Sequence, residues 1–209
     1  MLLYIYIYIY QLIGGEPLLN KNLPQMLEYA CKKKQIKVVS IVTNTTILPS
    51  KDLLSVMNKY KHKIIVHISD YTNNARLKNL KLKEVVDKFK KEGLVVSVVD
   101  YPWTKRGIIK KANRNKEALQ KTMLTCWQRD CQSYCDGEFH LCSRSIGIKR
   151  NVDNTIQDFV QVVGNKNAAQ EIINLFLRKY VDACDYCHTE MDTKIPRGIQ
   201  VGDVENTLR

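Results

Sequence analysis

Apolar and polar positions follow two different periods over the first hundred residues of the chain. Residues 2–13 predict a β-strand, because tyrosine and isoleucine alternate over residues 4–10 with the period of a strand, and Gly14 ends this run. Later apolar stretches are short and rich in β-branched residues, which also favours strands. They predict three further strands, over residues 36–42, 63–69 and 94–99.

Amphipathic segments lie between these strands and predict helices. Ser50 is a favourable N-cap, and Gly93 stands just after a helix, where a left-handed residue is common. The predicted helices cover residues 20–34, 50–60 and 81–91, with Ala75 as an alternative start for the third. Strands and helices in alternation predict an α/β fold with a parallel sheet and right-handed crossovers.

Small or polar residues directly follow each predicted strand. Ligands of parallel α/β sheets bind at the carboxyl ends of the strands, so these clusters predict a site on the strand-end loops. Within them, Asp70 and Asp100 are candidates for contact with a cofactor ribose or a substrate, with capping as an equal alternative. The four clusters are Gly14-Gly15-Glu16-Pro17, Thr43-Asn44-Thr45, Ser69-Asp70-Tyr71 and Asp100-Tyr101-Pro102.

Cysteines mark the second half of the chain. Six of the seven form two groups, C-W-Q-R-D-C-Q-S-Y-C-D-G-E-F-H-L-C from Cys126 and C-D-Y-C from Cys184. The N-terminus lacks the charged region and cleavage site of a signal peptide, so a reducing cytoplasm is the predicted compartment. Thiols at this density then indicate metal ligands rather than disulfides. Short helices are predicted over residues 155–162 and 167–180.

Two kinds of metal centre are compatible with the C-x2-C pair at Cys184 and Cys187. Four thiolates hold either a [4Fe–4S] cluster or a structural zinc ion. His140 and His188 adjoin the cysteine groups and are candidate supporting or alternative ligands. Cys31 lies on the apolar side of a predicted helix and is assigned to the core.

Composition and charge narrow the class of protein. Of the 209 residues, 44% are hydrophobic and 26% are charged, which is typical of a globular protein. The sequence has no run of 18 apolar residues, so no membrane span is predicted. The net charge of +12 favours polyanions such as RNA. The lysines are nevertheless spread in several groups along the sequence, so nucleic acid is not the predicted partner.

Two strand-end motifs resemble those of radical S-adenosylmethionine enzymes: I-G-G-E-P-L-L after the first predicted strand, and I-V-T-N-T-T after the second. The resemblance implies a TIM-like (β/α) barrel, here a partial one that lacks the first β/α unit. It also implies that the backbone and carboxylate of G-G-E-P hold the amino group of the cofactor's methionine moiety. Thr45 stands where that family usually has glycine. The implied S-adenosylmethionine contacts are Gly14, Gly15, Glu16, Pro17, Thr43, Asn44 and Ser69.

The cysteine spacing resembles the auxiliary-cluster module of the same family, of the SPASM or twitch type. Its first part reads C-x10-G-x4-C, with a D-G hairpin turn at Asp136-Gly137, and the C-x2-C pair follows. This resemblance implies a [4Fe–4S] cluster. The implied ligands are Cys142, Cys184 and Cys187, with Cys126 or Cys131 as the fourth and Cys135 least favoured.

Intact members of the family carry C-x3-C-x2-C upstream of G-G-E-P, and these 209 residues contain no such motif. A truncated member is therefore expected, with a partial core over residues 1–112, a cluster module over 113–190 and a tail over 191–209. An intact form is expected to generate a 5′-deoxyadenosyl radical, with flavodoxin or ferredoxin as electron donor and a peptide or carbohydrate as substrate. The alternative is a non-catalytic iron–sulfur or zinc module that binds a partner or RNA.

Overall fold

The computed structural model describes residues 7–72, 80–100, 103–106, 110–126, 128–187 and 192–195. The chain divides into two compact units. The first comprises Met1–Trp103 with Ile195–Arg209, and the second comprises Thr104–Lys194. Among the described residues, no helix combines the length and the apolar character that crossing a bilayer requires.

Strands and helices alternate in the first unit, as the sequence predicts. Short 3-10 helices at Pro17–Leu19 and Lys61–Lys63 are added to the predicted elements. The third helix begins at Leu82, and the alternative start at Ala75 lies outside the described residues. The elements are β1 (Ile7–Leu12), α1 (Leu23–Lys32), β2 (Ile36–Thr43), α2 (Lys51–Lys59), β3 (Ile64–Ser69), α3 (Leu82–Lys91) and β4 (Val95–Val99).

The four strands form one parallel sheet in sequence order, β1-β2-β3-β4. Leu12 pairs with Ile41, Thr43 with Ile68, and Ser69 with Val99, so all four carboxyl ends lie at the same edge of the sheet. The α/β class and the parallel sheet are therefore confirmed. Strands that are consecutive in the sequence are neighbours in the sheet and are joined by helices, which is compatible with part of a (β/α) fold.

Alternating residues of the central strands form the core of this unit. These side chains face the helices, which contribute large apolar residues of their own. The two predicted helix ends are confirmed. The Ser50 hydroxyl accepts a 3.1 Å bond from the Leu53 amide at the start of α2, and Gly93 has a φ of +73° just after α3. The buried set includes Val39, Ile41, Ile64, Val66 and Ile68 from the strands, and Leu27, Met57, Val85 and Phe89 from the helices.

The second unit mixes short helices with two small sheets. Strands β6, β7 and β8 form an antiparallel sheet, and β5 pairs with β9. A 3-10 helix over Asp182–Tyr186 precedes the last strand. The elements are β5 (Trp103–Arg106), α4 (Lys116–Leu124), β6 (Ser133–Cys135), β7 (Glu138–His140), α5 (Ser143–Asn151), β8 (Phe159–Gln161), α6 (Ala168–Phe176) and β9 (Asp192–Ile195).

The structure corrects several sequence predictions in this unit. The predicted helix over residues 155–162 is wrong, because Phe159–Gln161 forms β8 and pairs with β7. Helices α4 and α5 are absent from the sequence predictions, and β9 lies in the segment predicted as a tail. The helix predicted over residues 167–180 is present as α6, which is shorter at both ends.

The predicted D-G hairpin turn is confirmed. Cys135 pairs with Glu138, which leaves Asp136 and Gly137 as a two-residue loop with φ values of 51° and 83°. Positive φ at both positions is the geometry of a type I′ turn. A side chain at Gly137 would also lie only 3.0 Å from Gln161 Nε2 and 3.3 Å from a Val163 methyl carbon, so it would be crowded as well as strained.

Candidate functional site: strand-end loops and a group of four thiols

The G-G-E-P segment is anchored to the neighbouring strand end by Glu16. The Glu16 side chain is buried, and its Oε1 accepts bonds from the Leu18 amide at 3.0 Å and the Thr43 hydroxyl at 2.9 Å. Oε2 accepts a 2.8 Å bond from the Asn44 amide. Three of the roughly four acceptor positions of the carboxylate are therefore occupied by the protein itself. Glu16 thus fixes the loop after β1 against the end of β2.

A tight turn follows β2 in the I-V-T-N-T-T motif. The Asn44 Oδ1 atom accepts bonds from the Thr46 amide and hydroxyl at 3.0 and 2.7 Å. Thr45 is buried and takes a φ of 63°, and its carbonyl accepts a 3.0 Å bond from the Lys81 amide. A β-branched residue rarely adopts this left-handed conformation. The backbone therefore explains why glycine would suit this position.

Gly14 and Gly15 border open space. A Cβ atom built on either residue would meet no heavy atom within 4 Å. The structure thus brings Glu16, Thr43 and Asn44 of the predicted cofactor contacts together by hydrogen bonds. Ser69 is half-buried at the end of β3, on the same edge of the sheet. Asp70, the next residue, accepts bonds from the Thr72 amide and hydroxyl, which is a local capping arrangement.

The cysteines of the second unit come from separate segments. Cys126 follows α4, and Cys142 is the N-cap residue of α5. Cys184 lies within the 3-10 helix, and Cys187 caps its C-terminal end, with its amide donating to the Cys184 carbonyl at 3.2 Å. No cysteine in the described residues is in a disulfide.

Four of these thiols lie close enough to influence one another electrostatically. Burial raises the pKa of Cys142, and charges on Cys126 and Cys187 raise it further. Burial also raises the pKa of Cys184 to about 11, with added contributions from Cys142 and Cys187. The backbone amides of Arg144 and Ser145 oppose this change and lower the pKa of Cys142. Cys126, Cys142, Cys184 and Cys187 therefore form one group, termed here the four-thiol group.

Two other cysteines have different surroundings. Cys131 is exposed, and its amide donates to the Gln128 carbonyl at 2.9 Å. The sulfur of Cys135 accepts a 3.4 Å bond from Arg150, which also pairs with Asp136. Cys31 is buried in the core of the first unit, as predicted.

Cysteine thiolates can hold either a zinc ion or a [4Fe–4S] cluster. In the described part of the chain, no three His, Cys, Asp or Glu side chains converge tightly enough to coordinate one metal ion. Ligands of a zinc ion all contact the same atom, whereas ligands of a [4Fe–4S] cluster each bind a different iron and stand further apart. All four donors are sulfur atoms, which suit either centre, and the choice of a cluster rests on the cysteine pattern of the sequence.

Arg114 and Asp185 organise the C-x2-C loop, and the sequence did not reveal either role. The Asp185 carboxylate accepts bonds from the Asn113 and Arg114 amides at 3.2 and 2.8 Å. The Arg114 guanidinium in turn donates to the carbonyls of Cys184 at 3.0 Å, Asp185 at 3.3 Å and Cys187 at 2.8 Å. The backbone that carries both thiols is thus held by reciprocal contacts.

Asp158 holds the other end of the same loop. Its carboxylate is fully buried and accepts bonds from the Asp182 amide at 2.7 Å and the Ala183 amide at 2.6 Å. Burial raises the pKa of Asp158 to about 6, although the two amide bonds act in the opposite direction. Asp158 therefore satisfies the free N–H groups at the start of the 3-10 helix.

His140 is a buried link between the hairpin and Cys142. Its Nδ1 lies 2.7 Å from the Ser145 hydroxyl, which lies 2.7 Å from the Cys142 carbonyl. Its Nε2 lies 3.2 Å from Glu138, while burial lowers the pKa of His140. This histidine supports the Cys142 backbone rather than facing the four-thiol group. His188 lies outside the described residues.

Comparison with known proteins gives one partial match. No family model matches the chain. A segment of 59 residues, 28% of the chain, is 41% identical to the antilisterial bacteriocin subtilosin biosynthesis protein AlbA of Bacillus subtilis strain 168. The match spans 12% of the length of that protein.

Proposed function

We propose that the chain is a radical S-adenosylmethionine family protein whose second unit holds an auxiliary [4Fe–4S] cluster. The proposed ligands are Cys126, Cys142, Cys184 and Cys187. The observation that carries this proposal is the cysteine pattern, C-x10-G-x4-C followed by C-x2-C. The charges of these thiols also affect the pKa values of Cys142 and Cys184. The partial match to AlbA adds support for the family. When bound, such a cluster supplies one-electron redox chemistry or an iron site for a ligand.

The chain's own residues have distinct roles in this proposal. The four thiols bind the cluster, and burial of Cys142 and Cys184 shields it from solvent. Arg114 and Asp158 hold the loop of Cys184 and Cys187 from both ends. Cys131 and Cys135 are not assigned as ligands, since Cys131 is exposed and the sulfur of Cys135 accepts a bond from Arg150.

The strand-end loops of the first unit are proposed to contact S-adenosylmethionine. The exposed backbone of Gly14 and Gly15 is available to an ammonium group, because no other atoms crowd these residues. Glu16 is proposed to act chiefly by positioning, since its carboxylate already accepts three protein hydrogen bonds. Thr43 and Asn44 complete this arrangement. Radical generation, which the family performs at a C-x3-C-x2-C cluster, is not assigned to these 209 residues.

A peptide is the proposed class of substrate for the protein in its functional form. The match is to a protein of bacteriocin biosynthesis, and bacteriocins are peptides. This favours a peptide over the carbohydrate alternative.

Metal and sulfide analysis tests the cluster directly. Protein reconstituted anaerobically with iron and sulfide is expected to hold about four iron atoms and about four sulfides per chain. Zinc without sulfide in protein purified under the same anaerobic conditions would contradict the cluster. Equilibrium dialysis with labelled S-adenosylmethionine then tests the first unit, because binding should weaken when Gly14 and Gly15 are both replaced by valine. If the protein holds the cluster but does not bind S-adenosylmethionine, the result would favour the alternative of a non-catalytic iron–sulfur module.

A further inference from the structure

We propose that the amino-terminal edge of the parallel sheet binds single-stranded nucleic acid. At this edge α1, α2 and α3 end, and each leads into the next strand. The segments that meet there are residues 28–37, 58–63 and 88–93, and they carry ten lysines and two glutamates. They therefore hold most of the net charge of +12. This surface, termed here the basic edge, lies opposite the strand-end loops proposed for the cofactor.

Contacts between the three segments show that the basic edge is continuous. The Lys63 ammonium group donates to the carbonyls of Cys31 at 2.8 Å and Lys33 at 2.7 Å, which joins the ends of α1 and α2. The Asn58 side chain donates to Glu92 at 2.8 Å, which joins the ends of α2 and α3. The sequence disfavoured nucleic acid because its lysines are spread along the chain. The fold removes that reason, since it gathers several of the lysine groups at one edge.

Lysines of the basic edge are accessible to a ligand. Lys34, Lys61 and Lys90 are exposed, and none of them pairs with a carboxylate in the part of the chain that the structure describes. Glu28 neutralises only part of the charge, by pairing with the last lysines of α1 and α2. Like charges at this density repel one another and create a positive potential. The basic edge therefore attracts polyanions.

Helix capping does not account for so many lysines. A cation in the last turn interacts favourably with the helix dipole, and Lys32 and Lys59 stand there in α1 and α2. This effect falls off outside the last turn, so lysines such as Lys34 and Lys61 gain little from it. The cations of all three segments are lysines, without arginine. Lysine contacts phosphate as a point charge, which suits binding that does not depend on base sequence.

Tyr29 favours nucleic acid over other polyanions. Its side chain is 66% exposed near the end of α1, and the Lys33 Nζ atom lies 4.2 Å from the centre of its ring. An aromatic ring beside a cation can stack on a base while the cation contacts the phosphate backbone. An acidic peptide has no base to stack. A membrane surface calls for a broad apolar face, whereas Tyr29 is the one large exposed hydrophobic residue of these three described segments.

Fluorescence anisotropy with a labelled oligouridine, measured over a range of salt concentrations, tests the proposal. The edge variant neutralises three exposed lysines by combining Lys34→Gln, Lys61→Gln and Lys90→Gln. We expect it to bind about tenfold more weakly than the wild type at low salt. Each phosphate contact of a single strand contributes about 0.7 to the slope of log affinity against log salt, so the slope should fall by about 2.

The matched control removes the same charge from the opposite ends of the same three helices. It combines three substitutions of exposed lysines at the start of α1, α2 and α3, namely Lys21→Gln, Lys51→Gln and Lys83→Gln. Its affinity should stay within about twofold of the wild type. Equal losses in the two triple variants would overturn the proposal, because the effect would then be one of total charge. Urea unfolding of each variant establishes that it is folded.

Substitutions of Tyr29 test the partner class. Tyr29→Phe keeps the ring and should retain wild-type affinity, whereas Tyr29→Leu should bind about fivefold more weakly. Oligoglutamate and vesicles of phosphatidylglycerol are the competitors. Displacement of the RNA by either one at an equal concentration of charge would overturn nucleic acid as the partner, as would a wild type that does not bind the RNA. The proposed function would stand in each case, because the basic edge contains none of its proposed ligands.

Discussion

The Glu16 carboxylate accepts a 2.9 Å hydrogen bond from the Thr43 hydroxyl, and this bond joins residues 27 positions apart in the sequence. Both side chains are buried where β1 and β2 end. The bond therefore ties together the two motifs that resemble the cofactor-binding strand ends of radical S-adenosylmethionine enzymes. It also means that Glu16 is a structural anchor before any ligand binds.

Replacement of Glu16 by alanine should destabilise the first unit. It would leave the Thr43 hydroxyl and the Leu18 and Asn44 amides without their acceptor. Because unsatisfied buried donors are costly, we expect the free energy of unfolding in urea to fall by about 1–3 kcal/mol. Glu28→Ala is the control, since Glu28 pairs with the exposed Lys32 and Lys59 and accepts only a long 3.4 Å bond from the Tyr60 hydroxyl. Equal effects of the two substitutions would contradict the anchoring role.

Ser40 is a position where a smaller side chain should help. Its hydroxyl is buried within β2 and has no hydrogen-bond partner among the described residues. Ser40→Ala removes this unsatisfied group, so we expect the free energy of unfolding to rise by about 1 kcal/mol. Ser145 is equally buried but bonds to His140 and to the Cys142 carbonyl. Ser145→Ala should therefore lower stability, and a loss in Ser40→Ala would show that its hydroxyl has a partner.

Thr45 should be improved by glycine. Its φ of 63° is strained for a β-branched residue, and such strain costs on the order of 1–3 kcal/mol. Glycine relieves the strain but loses more chain entropy on folding, so a net gain of about 1 kcal/mol is expected for Thr45→Gly. Thr46→Gly is the control, because Thr46 bonds to Asn44 and has no positive φ. Denaturant unfolding that shows both variants destabilised would rule out strain at Thr45.

Asp158 should make stability depend on pH between about 4 and 6. Its pKa is raised by burial from 3.8 to about 6 in the folded chain. Folding therefore favours the protonated carboxyl group, and protonation stabilises the folded state. This stabilisation is complete below the unfolded pKa and is lost as the pH rises through the folded pKa. The rise in pKa corresponds to a change of about 3 kcal/mol in the free energy of unfolding across this pH range.

Asp158→Asn isolates this effect, because asparagine cannot titrate. The difference in unfolding free energy between wild type and variant, measured in urea on the metal-free reduced protein, should shift by about 2–3 kcal/mol from pH 4 to pH 7. The wild type should lose stability relative to the variant as pH rises. Parallel stability curves for the two proteins would show that Asp158 titrates normally in the folded state.

The sequence predicted the first unit well because its signals are local. Ser50 and Gly93 mark helix ends through their own side-chain or backbone properties, and strand periodicity marked the sheet. The second unit was predicted less well. Ile156, Phe159 and Val160 have helical spacing, but pairing of β8 with β7 determines the structure there. Long-range pairing of short strands leaves little local signal.

Only part of the candidate site could be predicted. The hairpin turn follows from Asp136 and Gly137 alone, because few other residues adopt its conformation. The choice among Cys126, Cys131 and Cys135 as the fourth ligand stays a prediction, in which the spacing of the sequence favours Cys126. Arg114, Asp158 and Asp185 act through contacts with distant backbone, for which the sequence contains no pattern.

Iron and sulfide content across single cysteine-to-serine variants tests the central claim most directly. Each variant is reconstituted anaerobically beside the wild type. Replacement of Cys126, Cys142, Cys184 or Cys187 should lower cluster content markedly, whereas replacement of Cys131 or Cys135 should leave it close to the wild-type value. Retention of a full cluster without Cys126, or its loss without Cys131 or Cys135, would contradict the proposed ligand set.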